Sequence, residues 1–264
     1  MHDVFLILVG LFASLCGTVV GLGGGFIMVP FLALVYPMPV YQIVGTSMAV
    51  LAISSISSTA AFIKQKRIDY KSGVAFALAM VPGSVLGAIT SSGISSRGFF
   101  IALGIFLFLM ALFLLMKPKE GAKGGLLRPT VTRTLVDAAG QRFTYSFNIQ
   151  TGIGIGLIVG FISSLFGIGG GSIMVPTMVM LLSFPPHIAV ATSALSILIS
   201  ALAGTISHAW LGHIDWIKVL WLAIGALIGS QLGAKVASRL PAKIILRALS
   251  VCLIIVAVRL MFKG

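Results

Sequence analysis

Two matching decapeptides carry the residues best suited to chemistry. Gly21-Leu22-Gly23-Gly24-Gly25-Phe26-Ile27-Met28-Val29-Pro30 returns as Gly167-Ile168-Gly169-Gly170-Gly171-Ser172-Ile173-Met174-Val175-Pro176, at an offset of 146 (176 − 30) and with eight of ten positions identical. Three glycines in a row expose backbone N–H and C=O groups, which lipid cannot satisfy; such a break survives only where it is buried or lines a polar cavity. A new helix is expected from Phe26 and from Ser172. Its first amides are free and carry the positive end of the helix dipole, which makes a site for an anion without a cation. The competing reading is close packing, because glycine lets membrane helices approach one another. Duplication, matched prolines and the interruption of the helix favour contact with a ligand at Gly23, Gly24, Gly25 and Phe26, and at Gly169, Gly170, Gly171 and Ser172. Two such breaks imply one shared central cavity.

The same offset pairs Thr46-Ser47 with Thr192-Ser193 at the start of the next helix, and Ser54 with Ser200 two turns further on. Hydroxyls at these positions can donate to an oxyanion. Serine and threonine also bond back to their own helix carbonyls, which suffices to explain Ser54 and Ser200 and competes with ligand contact for the Thr-Ser pairs. Asp3, Asp69, Glu120, Asp137 and Asp215 fall at ends, in loops or in a linker, so no carboxylate is expected at mid-membrane to bind Na⁺ or relay protons. His187 and His208 read as interfacial hydrogen-bonders able to titrate near neutral pH. Cys16 and Cys252 lie in apolar stretches and read as buried, inert thiols. Nothing resembles a nucleotide loop, a metal-ligand cluster or a nucleophile with its base, so neither an enzyme nor a cofactor is expected.

These residues need a membrane to position them. The chain has 264 residues, 58% hydrophobic and only 9% charged, where a soluble domain carries about 25% charged residues. Its mean hydropathy is +1.14. Apolar runs such as Val74 to Ile89, Phe99 to Met116, Ile188 to Ala209 and Ile244 to Met261 approach the roughly 20 residues that a spanning helix needs. Met1-His2-Asp3 lacks the basic start of a signal peptide, and Leu15 before Cys16 does not suit a lipoprotein cleavage site, so the first apolar segment is expected to stay. The net charge of +13 flanks apolar spans and does not interleave with aromatics. It marks the cytoplasmic side of a bundle and not a nucleic-acid surface. A multi-pass protein of the bacterial inner (cell) membrane is the expectation.

The organisation is a duplication. The offset also pairs Ile53 with Ile199, Thr59 with Thr205, Ile68-Asp69 with Ile214-Asp215, Gly83-Ser84 with Gly229-Ser230, and Leu86-Gly87-Ala88 with Leu232-Gly233-Ala234. Three units follow: transmembrane repeat 1 over 1–116, a basic cytoplasmic linker over 117–149 and transmembrane repeat 2 over 150–264. Within the linker, Val131 to Val136 and Gln141 to Phe147 alternate around Asp137-Ala138-Ala139-Gly140, the pattern of a small β-hairpin. Each repeat reads as one broken segment and three spanning helices, at 4–36, 41–64, 72–92 and 98–116, then 150–183, 187–210, 217–237 and 243–262. A segment as long as Val4 to Tyr36 with central glycines fits two half-helices folded as a hairpin, which adds no net crossing. Each repeat then crosses an odd number of times, and the two lie inverted. The basic residues agree. Lys64, Lys66, Arg67 and Lys71 follow the first full span of repeat 1, while in repeat 2 the basic set Lys235, Arg239, Lys243 and Arg247 flanks the second loop. Trp210, Trp216 and Trp221 gather at the opposite, outer loop as interfacial anchors. The fold class is therefore an all-α, polytopic transmembrane bundle of two homologous, inverted repeats.

The paired GxGGGxIMVP strings, each followed by a loop and a Thr-Ser near a helix start, resemble the TauE/SafE sulfite exporter family of membrane permeases. The resemblance covers both hydrophobic halves. It implies transport of sulfite, sulfoacetate or other organosulfur anions, with Gly23, Gly24, Gly25, Pro30, Thr46 and Ser47 and their partners Gly169, Gly170, Gly171, Pro176, Thr192 and Ser193 as the positions carried over. Phe26 against Ser172 breaks the pairing, so the half-sites need not bind alike.

The partners expected are a small organosulfur or sulfur oxyanion and the lipid bilayer, with no nucleic acid. An interior-negative potential favours each departing anion charge by about 2.3 kcal/mol per 100 mV, so a carrier without a coupling site exports passively. Three alternatives stay open: a channel-like pore, uptake of thiosulfate or a neutral organosulfur compound, and sulfur chemistry at Cys16, whose repeat partner is Ile162.

Overall fold

A computed structural model describes residues 2–115, 128–237, 250, 254, 255 and 257–262. The chain is mostly helical, a polytopic bundle with a small hairpin among the described residues. The helices are α1 (His2–Val20), α2 (Gly25–Val35), α3 (Val40–Lys64), α4 (Tyr70–Ser91), α5 (Ser96–Leu115), α6 (Ile149–Phe166), α7 (Gly171–Met180), α8 (Pro186–Trp210) and α9 (Trp216–Val236). Two strands, β1 (Val131–Val136) and β2 (Arg142–Phe147), lie between α5 and α6. Among the described residues, α3, α4, α6, α8 and α9 are long and apolar enough to cross a membrane. The expected segment 243–262 and most of the basic residues beside it lie largely outside the described residues, as does Cys252; residues 257–262 are helical.

Local chemistry sets the boundaries. Gly21 stops α1 at φ 79°, and Gly24 opens α2 at φ 86°, so each 4–36-type segment divides at its glycines. Asp69 and Asp215 occupy the N-caps of α4 and α9, accepting from the amides of Ser72 and Lys218; Asn148 does the same for α6 through Thr151. Pro39 and Pro185 precede α3 and α8, with Pro186 in the first turn of α8, where a missing N–H costs nothing. Trp210 and Trp216 are exposed beside the α8–α9 turn.

Glycine decides which helices meet. A Cβ at Gly225 would lie 1.9 Å from the Ile7 carbonyl oxygen, and one at Gly229 would lie 2.2 Å from that of Leu11. A Cβ at Gly83 would lie 2.2 Å from the Leu157 carbonyl oxygen, and one at Gly160 would lie 2.0 Å from that of Met80. Backbone therefore touches backbone along two seams, α1 with α9 and α4 with α6, and in each the paired positions rise together, so the helices run parallel. Gly83 with Leu157 and Gly229 with Leu11 are the same contact displaced by 146 in both partners. Helices α3 and α8 cross antiparallel. Gly45 near the start of α3 meets His213 beyond the end of α8, Met48 reaches Gly204, and Ala61 and Phe62 share a cluster with Ala191 and Ala194.

The strands pair antiparallel, from Val131↔Phe147 to Val136↔Arg142. Asp137 closes the turn by accepting from the Ala139 and Gln141 amides. A hairpin alone is marginal in water. This one is docked: Phe184 sits 4.5 Å from the Tyr145 ring and 4.7 Å from that of Phe147, and Arg67 bonds Asp137 at 3.3 Å.

Candidate functional site

The two glycine breaks touch. A Cβ on Gly25 would stand 2.5 Å from the Gly167 carbonyl oxygen, and one on Gly171 would stand 2.1 Å from that of Gly21, again equivalent contacts at an offset of 146. Close backbone approach thus accounts for glycine at positions 25 and 171. The space flanking them is filled by Leu51 and Ile197, also equivalent positions. Leu51 presses on both Gly23 and Gly169, and Ile197 on Gly171. Both side chains are buried, in a small cluster with Met48, Ala52 and Ala201. These two plugs occupy the place where the repeated glycines led us to expect a shared cavity, and the repeat offset pairs them one turn after each Thr-Ser.

Around this contact the helix starts keep unspent donors. None of the hydrogen bonds among the described residues is donated by the amides of Gly24, Gly25 or Phe26, nor by those of Gly170 or Gly171. All five residues are buried. The Ser172 amide, by contrast, turns back to the Gly169 carbonyl at 3.4 Å, and its hydroxyl donates to the same oxygen at 3.0 Å. Phe26 points into the main apolar cluster.

The hydroxyl pairs hold structure first. Thr46 and Thr192 lie in the second turn of α3 and α8, not at their first residues, and both are fully buried. Thr46 Oγ1 accepts from the Asp215 amide at 3.1 Å, and Thr192 Oγ1 accepts from the Asp69 amide at 3.0 Å. Each threonine thereby ties its helix to the capping loop of the other half and retains its own O–H to donate. Ser47 donates to the Gly167 carbonyl at 2.7 Å, across to the second break. Ser193 instead donates to Val190 in its own helix at 2.9 Å. Ser54 meets Ser230 at 2.8 Å, and Ser200 meets Ser84 at 3.4 Å, so both serve helix pairing.

The acidic groups Asp69 and Asp215 sit at helix caps. Asp69 caps α4, accepts from Ser72 Oγ at 2.5 Å and from Tyr145 Oη at 2.9 Å, and lies 3.9 Å from Arg133. Burial, with the Asp69 charge beside it, pushes the Tyr145 phenol far above its usual range, so it serves as a donor. Asp215 binds Lys218 in the matching place. Burial raises its carboxyl, but the Lys218 ammonium and amide outweigh that and hold it below the ordinary carboxylate range. His208, expected at an interface, is fully buried and faces His213, a residue that no sequence motif marks. Cys16 is half-buried in α1. No metal-ligand cluster occurs among the described residues.

Apolar helices long enough to span, two buried helix breaks and polar pins between halves define a polytopic membrane protein built around a central contact of half-helices. The chain belongs to the sulfite exporter TauE/SafE family, whose model matches residues 6–260. It is 39% identical to the probable membrane transporter protein YunE of Bacillus subtilis over all of this chain and 99% of that relative. It is 28% identical to the probable membrane transporter protein MJ0441 of Methanocaldococcus jannaschii, over 90% of this chain and 87% of the relative. YdhB of Bacillus subtilis, another probable membrane transporter protein, is 25% identical over 87% of each chain. No solved structure matches. The protein is thus a multi-pass inner-membrane transporter of this family and not an enzyme.

Proposed function

We propose that this transporter exports small sulfur-containing anions such as sulfite, sulfoacetate or other organosulfonates, by alternating access around the two glycine breaks. The observation that carries the reading is the pair of buried helix starts, α2 and α7, whose breaks touch and whose amides at Gly24, Gly25, Phe26, Gly170 and Gly171 donate none of the hydrogen bonds among the described residues. A buried N–H without a partner costs about 1–3 kcal/mol, which an arriving oxyanion would recover. Thr46 and Thr192 supply hydroxyl donors beside it.

The packing between helices supports a rocking cycle. Equivalent helices α3 and α8 run antiparallel, and each hairpin packs on the other half, α1 on α9 and α6 on α4. We read 1–116 and 150–264 as inverted repeats, whose relative tilt would expose the breaks to one side and then the other. With Leu51 and Ile197 in place the breaks are shut, so either plug must move aside for an anion to enter.

The test is thermal stabilisation of the purified protein by sulfite, sulfoacetate, taurine, thiosulfate, sulfate, acetate and chloride, paired with efflux from proteoliposomes held inside-negative. Selective stabilisation by one sulfur anion, weakened by Thr46→Val with Thr192→Val, together with saturable efflux of that anion, is expected. Stabilisation by none, with efflux no faster than from protein-free vesicles, would return the glycines to helix packing.

A further inference from the structure

We propose that His208 and His213 form a proton-binding site which holds one shared proton and couples its movement to the glycine break that ends α6; this rests on the transport reading above. The two imidazoles meet Nδ1 to Nδ1 at 3.2 Å, in a place where His208 is fully buried and His213 is 6% exposed. His208 Nε2 lies 3.3 Å from the Ser164 carbonyl and 3.5 Å from its hydroxyl. Ser164 stands three residues before Gly167, whose own carbonyl receives Ser47.

Hydrogen-bond logic assigns the protons. A carbonyl only accepts, so His208 carries its proton on Nε2 and offers a lone pair at Nδ1. His213 must then donate from Nδ1, which leaves a lone pair on its Nε2. That nitrogen makes none of the hydrogen bonds among the described residues. A proton arriving at His213 Nε2 makes this ring an imidazolium; its Nδ1 proton can cross to His208 Nδ1, leaving His213 neutral with its proton on Nε2. His208, now cationic, donates through both nitrogens, and its bond to the Ser164 carbonyl becomes charge-assisted. A second proton would set two N–H groups against each other at 3.2 Å, so the pair takes one.

The surroundings offer this charge little else. Among the described residues, the Tyr41 ring from α3 lies 4.8 Å from His213, and α6 contributes the Ser164 hydroxyl and carbonyl to His208. Asp215 and Lys218, next in the chain, are paired with each other. Burial holds His213 below the usual imidazole range. The closed arrangement therefore disfavours a charge on His213, and a proton favours a conformer in which the α8–α9 end is better solvated. The equivalent positions in the first half are Phe62 and Arg67, so the device exists once per molecule. Exchanging an outgoing anion for an incoming proton lets an interior-negative potential drive both movements.

The test uses the full chain, labelled with ¹⁵N-histidine, in lipid nanodiscs, titrated from pH 8 to pH 5. Wild type is expected to show one Nε2–H and one Nδ1–H neutral ring that take up a single shared proton, and His213→Gln to abolish the sharing. Two rings that stay neutral, or that titrate as independent imidazoles, overturn the site. In proteoliposomes, sulfoacetate efflux should carry protons inward, read with a lumenal pH dye, and His208→Gln should slow it several-fold and flatten its pH profile. Efflux that is equally fast and equally pH-dependent in His208→Gln overturns the coupling. Absence of sulfoacetate efflux from both proteins counts against that substrate class, and the ring titration then decides the proton site alone.

Discussion

The two glycine breaks share a sequence pattern but are held differently. At the first, the chain bonds back to itself: the Leu22 and Gly23 amides both donate to the Gly17 carbonyl, and Gly21, Gly23 and Gly24 all take positive φ. At the second, Gly170 is right-handed at φ −63°, Ser172 caps the Gly169 carbonyl, and Ser47 arrives from the other half to bind Gly167. The reciprocal bond, from Ser193 to Gly21, is not made; Ser193 turns to Val190. Break one is thus a locally wound loop, and break two is a loop pinned by its partner. Near-identical decapeptides can be held by different hydrogen bonds, and the break pinned from the other half follows the helix whose Ser164 meets His208.

The largest effect should come from the seams that carry both breaks. Gly83→Leu and Gly229→Leu each drive a side chain into a carbonyl 2.2 Å from the Cβ position, and both are expected to abolish monodisperse protein on gel filtration. The cost exceeds the about 1–3 kcal/mol of ordinary overpacking, because backbone and not a flexible side chain must yield. Gly154→Leu, on an exposed helix face with open space around it, should change nothing. Damage from only one of the two seam variants would show that the halves do not depend on equivalent contacts.

Next come the breaks themselves. Gly24→Ala forces a left-handed alanine, at roughly 1–2 kcal/mol, and meets the Ala13 carbonyl oxygen at 2.9 Å. Gly170→Ala has an ordinary φ and meets first the mobile end of Met80. Reversible unfolding in mixed micelles should therefore rank Gly24→Ala below Gly170→Ala in stability; the opposite order would mean that the local winding of break one is not what limits it.

A smaller difference separates the serines. Ser47→Ala orphans a buried carbonyl and should cost about 1–3 kcal/mol, while Ser193→Ala removes a bond within its own helix and should cost about 0.5 kcal/mol. Equal costs would remove the distinction between a pinned and an unpinned break.

The smallest effect is expected at the hairpin. Burial pushes the Asp137 carboxyl up, but the Gln141 and Ala139 amides and Arg67 outweigh it and hold it below the ordinary carboxylate range. A depressed carboxyl stabilises above its unfolded value, and that stability disappears as pH falls through its folded one. The melting temperature of Asp137→Asn should thus be lower than wild type near neutral pH and converge with it in acid. Parallel curves would show that the Arg67–Asp137 contact does not link the hairpin to α3.

Much of this was legible in one chain. An offset of 146 running through glycines, prolines and hydroxyls located both helix interruptions, after Val20 and after Phe166, because a glycine run inside hydrocarbon has few other uses. The alternation of Val131 to Val136 and Gln141 to Phe147 also marked the strands that β1 and β2 occupy. Partner choice was not legible. Nearly every face of these helices is apolar, so periodicity cannot say that α1 lies on α9 or α6 on α4; that follows from where glycine carbonyl contacts coincide in space. Nor could spacing show that Thr46 binds the Asp215 amide, 169 positions away, that Leu51 and Ile197 fill the space beside the breaks, or that His208 meets His213 across a turn. Sequence determined which segments leave water and where their backbone must break, since those depend on local composition. Tertiary structure decided what each break touches, since buried donors and glycine surfaces find partners by geometry and not by order along the chain.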